Sequence, residues 1–196
     1  MSDAAARQRR AKQTVNNLVY SLLACLAIVA IMYMITPRPT TNLVPPVDYR
    51  ADAKSTALTI KKPVAAPQLP GKGWYSNSDR FTSGTADGVD SWYVGFVGPS
   101  QQYFGITQGY GTNPTWIALQ LQGDIPTGSK VIGGINWTIW KATSPSNPPK
   151  SRDYALVADF TVGKRTDQVI LFGTASTAEF NQFAIRVAEN LKVLYP

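Results

Sequence analysis

The sequence predicts an α+β protein. A transmembrane helix near the N-terminus is followed by one extracytoplasmic domain, in which a mostly antiparallel sheet of five to seven strands packs against a C-terminal helix. Three observations carry this expectation. Residues 18–35, LVYSLLACLAIVAIMYMI, contain no charge. From Trp74 onward, short apolar runs alternate with Gly-, Pro- and Asn-rich turns, the texture of an antiparallel sheet. Near the end, Phe180, Phe183, Ala184, Val187 and Leu191 recur at helical spacing and form one apolar stripe.

Residues 1–17 form a basic arm, disordered or a helical extension of the span. Arg7, Arg9, Arg10 and Lys12 stand there against Asp3 alone, which marks the arm as cytoplasmic and suits contact with an anionic inner leaflet. Residues 18–35 reach roughly 27 Å as a helix, close to the hydrocarbon thickness of a bilayer. The anchor runs from Leu18 to Ile35, with Tyr20 and Tyr33 near its ends, where aromatic rings favour the headgroup level. Cys25 is the single cysteine. The LLAC run loosely resembles a lipobox, but ten apolar residues follow it, so Cys25 reads as a small apolar residue of the span. No small-x-small cleavage pattern follows the span.

Residues 36–69 form a Pro-rich linker. Pro37, Pro39, Pro45 and Pro46 bias it to polyproline II. Within it, residues 48–57 can form a short helix capped by Asp48, residues 58–64 a first strand, and residues 65–73 a turn. Residues 70–196 are the domain. Strands are expected at 74–81, 91–98 and 102–109. A short helix at 114–122 is capped by Asn113 with Pro114 in its first turn. A loop covers 123–129. A hairpin follows, with arms 130–132 and 135–142 around Gly133-Gly134, then a Pro-rich loop at 143–151. Strands at 153–162 and 167–174 are joined through residues 163–166. Ser176 and Glu179 form a capping box for the last helix.

Charge excludes one class of function. The chain has 196 residues and a net charge of +7, of which residues 1–35 and 36–69 hold +3 each and residues 70–196 only +1. A nearly neutral domain argues against nucleic acid as a partner. With no histidine and its only thiol in the span, the chain lacks Ser-His-Asp and Cys-His machinery and offers no zinc set. No catalytic, cofactor-binding or metal-ligating residue is assigned. Asp87 and Asp90 read as turn formers. Asp153, Asp159 and Asp167 bracket strands and read as solvated. The glycines at 105–111 lack a dinucleotide-binding context, and the sequon at Asn136 lies in a strand pattern.

Aromatics are the compositional excess. Trp92 and Tyr93 point to opposite faces of a strand. Trp92, Tyr93, Tyr110 and Trp116 are therefore the candidate interaction surface, unless both sheet faces are covered, one by the last helix and the other by the Asp48 helix or a loop. An exposed aromatic strip would suit carbohydrate or peptidoglycan.

Several stretches resemble an actinobacterial family of single-pass membrane proteins with a domain of unknown function. They are the basic head and span ending TPRP (36–39), LPGKGW (69–74), SWYVGFV (91–97) with QQYFGITQ (101–108), NWTIW (136–140) and VILFGTAS (169–176). The resemblance covers nearly the whole chain and implies an actinobacterial envelope location. The layout is also similar to PsbP-like domains, which serve as accessory subunits and assembly factors. The expected role is a non-enzymatic envelope-facing accessory or interaction module, held by one span with its N-terminus inside and meeting another envelope or membrane protein. The rivals are a carbohydrate-binding module and an enzyme working without histidine.

Overall fold

The computed structural model describes residues 2–36, 45–84, 87–144 and 154–196, with side chains from Val15 onward. Residues 37–44 of the Pro-rich linker, most of the 143–151 loop, Asp153, and the side chains of Arg7, Arg9, Arg10 and Lys12 lie outside the described residues. The chain forms two compact units, Met1–Leu43 and Val44–Pro196.

The first unit holds helix α1, Ser2–Ile35, so the basic arm is a helical extension of the apolar run. Val15–Ile35 is long and apolar enough to cross a membrane, with 21 residues and a mean hydropathy of 2.5. All its side chains are exposed, as lipid-facing residues would be.

The second unit begins ahead of helix α2, Tyr49–Ile60. Asp48 caps it by accepting from the Ala51 amide at 3.3 Å. The helix runs through residues expected to start a strand at 58–64. Tyr49, Ala53, Ala57 and Ile60 all pack into the core at helical spacing, and this stripe overrides the β-branched character of Thr59 and Ile60. Lys61 ends the helix in the left-handed conformation, its amide bonded to the Ala57 carbonyl.

Seven strands follow in one sheet: β1 (Tyr75–Thr82), β2 (Asp90–Val97), β3 (Tyr103–Tyr110), β4 (Ile125–Ile132), β5 (Ile135–Lys141), β6 (Tyr154–Val162) and β7 (Arg165–Gly173). Their order is β1-β2-β3-β7-β6-β5-β4. Every pairing is antiparallel. Two meanders, β1–β3 and β4–β7, thus meet where β3 pairs with β7. Helix α3, Pro114–Leu121, links the meanders and is capped by the Asn113 side chain as expected. β4 takes in most of the stretch expected as a loop at 123–129. As an edge strand it tolerates Pro126, and the register slips between Pro126 and Gly128, a device typical of edges. The β6–β7 turn is also tighter than expected, and β7 already begins at Arg165.

Helix α4, Thr177–Leu194, starts at the Ser176–Glu179 box, with Ser176 Oγ accepting from the Glu179 amide at 3.4 Å and donating to its carboxylate at 3.1 Å. Its stripe is buried against one sheet face. Trp92, Val94 and Phe96 of β2, Phe104 and Ile106 of β3, and Val169 and Leu171 of β7 share that cluster, together with α2. Phe183 sits at its centre, stacked on Trp74 at 5.7 Å and against Phe104 at 5.0 Å and Phe96 at 5.3 Å. The second face carries its own cluster, Ala155, Val157, Ile170 and Phe172, packed with Val89 and with Trp116 and Leu121 of α3. Cover for that face comes from α3; the Asp48 helix lies on the same side as α4.

Phe183→Ala in a fragment spanning residues 45–196 is expected to lower the urea-unfolding free energy by about 3–5 kcal/mol through lost burial and a residual cavity. Ser176→Ala should cost only about 0.5–2 kcal/mol, the worth of a cap. A change near zero for Phe183→Ala would contradict the core assignment.

Candidate functional site

The second sheet face is shaped by glycines. Gly105 and Gly109 alternate with buried residues on β3, so their faces are open to rings from neighbouring elements. The Phe172 ring lies directly over Gly105. The Trp116 ring lies over Gly109, where an added Cβ would meet it at 2.6 Å. Trp116 is held there because its amide donates to the Asn113 side chain at 2.9 Å, which fixes the first turn of α3. Tyr93 and Tyr103 flank Phe172 at 6.5 and 6.1 Å, and their hydroxyls are hydrogen-bonded to each other.

Beside this aromatic floor lies a cleft of about 280 Å³ between β1–β3 and α3. Arg80, Tyr93, Thr107, Trp116, Leu119 and Asp87 line it. Arg80 and Tyr93 are direct partners in the β1–β2 register, and the guanidinium lies 4.4 Å from the ring centroid, a cation–π contact. Thr107 is 4% exposed, and its hydroxyl has no hydrogen-bond partner among the described residues. Asp87 turns its own loop by accepting from the Val89 amide at 3.0 Å.

A second polar cluster occupies the α4 side. Asp167 is fully buried, which corrects its reading as solvated. Its oxygens accept from Arg165 at 2.9 and 3.2 Å, the Gly111 amide at 2.9 Å and the Tyr195 hydroxyl at 3.2 Å. Gln108 donates to Tyr195 at 2.7 Å and to the Pro63 carbonyl at 2.9 Å, and accepts from the Ala65 amide at 2.8 Å. Tyr110 donates to the same Pro63 carbonyl at 2.9 Å. Burial, reinforced by the nearby Asp167 charge, pushes the Tyr110 and Tyr195 phenols well above their ordinary value. The cluster ties the end of α4 and the segment after α2 to β3 and β7. Its polar groups are engaged with one another, which makes it a structural lock.

The other carboxylates are distributed. Asp90 pairs with Lys62 at 3.0 Å and accepts from Ser83 at 3.0 Å. Lys62 holds the Asp90 carboxyl below its usual range. Asp159 accepts from Gln168 at 2.8 Å, and Glu189 pairs with Arg186. Among the described residues, no group of three or more His, Cys, Asp or Glu side chains could hold a metal ion. Asp79 stands apart. Burial first, then the neighbouring Asp52 carboxylate, raises its pKa, and its Oδ2 is buried without a hydrogen bond to any described residue.

Three of the four aromatics expected on an interaction surface are inside the protein. Trp92 is 1% exposed, Tyr110 4% and Trp116 1%, because both sheet faces are covered. Trp92 donates to the Ala65 carbonyl at 3.0 Å. Tyr93 is half-buried, and it and Trp116 line the cleft. Leu18, Tyr20, Cys25, Tyr33 and Ile35 all lie exposed on α1. Sequence reasoning missed Arg80 and Thr107. Arg80 opposes Tyr93 only once the β1–β2 register is known, bulge included, and nothing in the local sequence signals it.

A family model of proteins of unknown function matches residues 10–187. The chain belongs to the DUF4245 family. The DUF4245 match takes in the apolar part of α1 and all seven strands. No curated protein and no solved structure matches this DUF4245 chain.

The Asp79 environment gives a pH test. A carboxyl whose native pKa exceeds its unfolded value of about 3.9 binds more protons when folded. Its contribution to stability is therefore largest in acid and is lost as pH rises through that window. Asp79→Asn should remove the decline and raise the melting temperature at pH 7. A variant less stable than wild type at pH 7 would contradict the assignment.

Proposed function

We propose that this chain is a non-enzymatic accessory module of the cell envelope. A single span anchors it with its N-terminus inside, and its α+β domain meets an envelope or membrane protein outside. The observation that carries the reading is the Val15–Ile35 segment of α1, uncharged, exposed on every side and long enough at roughly 32 Å to cross a bilayer. The basic residues of the head and the near neutrality of residues 70–196 support the orientation. The actinobacterial setting belongs to the proposal on the strength of the resemblance in the quoted stretches.

Two features support a binding role over a chemical one. The sequence has no histidine. Asp48 and Glu179 serve caps, Asp90 and Glu189 ion pairs and Asp167 the lock, and the raised Asp79 does not line the cleft. A carbohydrate surface built on a flat aromatic strip loses support, since Trp92, Tyr110 and Trp116 are buried.

Protease added to intact protoplasts of a Gram-positive cell expressing the chain should remove the domain and leave a tagged head protected. Crosslinking in the same cells should join the domain to a membrane or envelope protein. Digestion of the head with survival of the domain would overturn the orientation.

A further inference from the structure

The cleft between β1–β3 and α3 has the makings of a ligand site. Arg80 is the one basic group in its lining. Lys62, Arg165 and Arg186 each pair with an acid. Among the described residues, no acid lies within ion-pair distance of Arg80, whose contact is the Tyr93 ring. A guanidinium lying over a ring keeps its N–H donors at the edge, in the planar fork that matches a carboxylate. Thr107 supplies an independent indication. It is 4% exposed, lines the cleft and makes no hydrogen bond through its hydroxyl to any described residue. Such a group lowers stability unless something it binds satisfies it.

Charge and size narrow the ligand. Arg80 is the single cation of the lining and Asp87 its single acid, so a dianion such as phosphate would leave more charge unneutralised than one carboxylate held by the Arg80 fork. Tyr93 and Leu119 offer apolar walls, and Ser91 and Thr107 offer hydroxyls. The volume of about 280 Å³ falls at the small end of ligand pockets. We infer that this cleft binds a small monocarboxylate, its carboxylate on the Arg80 fork and its body against Tyr93 and Leu119, with Thr107 hydrogen-bonding at the floor.

This inference rests on the reading of the domain as a binding module, but the two can fail separately. Lack of carboxylate binding beside an intact protease pattern and a crosslinked partner would remove the ligand and leave the anchored module.

The test is calorimetric titration of the full chain in uncharged detergent micelles with N-acetyl-alanine and with glucuronate. N-acetyl-alanine amide and inorganic phosphate are the controls. At least one carboxylate should bind saturably, and the amide and phosphate should bind at least about tenfold more weakly, the scale of a lost charge-assisted hydrogen bond. The carboxylate preferred identifies whether an amido acid or a sugar acid fits the walls. Arg80→Lys, at an exposed position, should weaken binding about tenfold or more without changing the melting temperature. Thr107→Val should weaken binding and raise the melting temperature of the unliganded chain, because it removes a buried hydroxyl with no partner. Absence of saturable carboxylate binding, equal binding of the amide or phosphate, or binding indifferent to Arg80→Lys would each overturn the inference.

Discussion

Strand β7 is apolar on both faces, and the rest of the domain follows from that constraint. Val169 and Leu171 face one side and Ile170 and Phe172 the other, and none is more than 2% exposed. A strand like this cannot border water on either side. It sits fourth in the sheet, between β3 and β6, and needs a lid on each face. On one side α4 and α2 supply it, with Phe183 wedged among Trp74, Phe96 and Phe104. On the other, α3 lays Trp116 over Gly109. The Asp167 lock then fastens the end of α4 to the sheet through Tyr195 and Gln108.

The cleft is a by-product of that arrangement. α3 is only eight residues long and covers part of the second face. Where its cover stops, Arg80, Tyr93 and Thr107 border open space. The covered centre of the sheet thus borders a polar gap, and Arg80 stands at it with no acid in ion-pair distance among the described residues. The proposed binding site lies where the cover ends rather than on a bare aromatic strip.

Features governed by local chemistry were legible in the sequence. The charge-free helical stretch, the caps at Asp48, Asn113 and Ser176, the glycine turn at 133–134 and the buried stripe of α4 all depend on residues close in the chain. What escaped depended on distant partners. Asp167 is buried because Gly111 and Tyr195 come to meet it, although a lone Asp at a strand end reads as solvated. Pro126 and Gly128 suggest a loop until the edge position of β4 admits them. Trp92 and Trp116 have the composition of a surface and the placement of a core, which only the covered faces decide. The cleft was half legible: Tyr93 and Trp116 stood out as aromatics, while Arg80 needed the register.

The two-sided cover of β3 and β7 holds the domain together, and native-state hydrogen exchange on the full chain in detergent reads this out. Amides of β3 and β7 should exchange only through global unfolding, at the free energy found by denaturant, while those of the edge strand β4 exchange by local opening. Exchange from β3 and β7 as fast as from β4 would contradict the account.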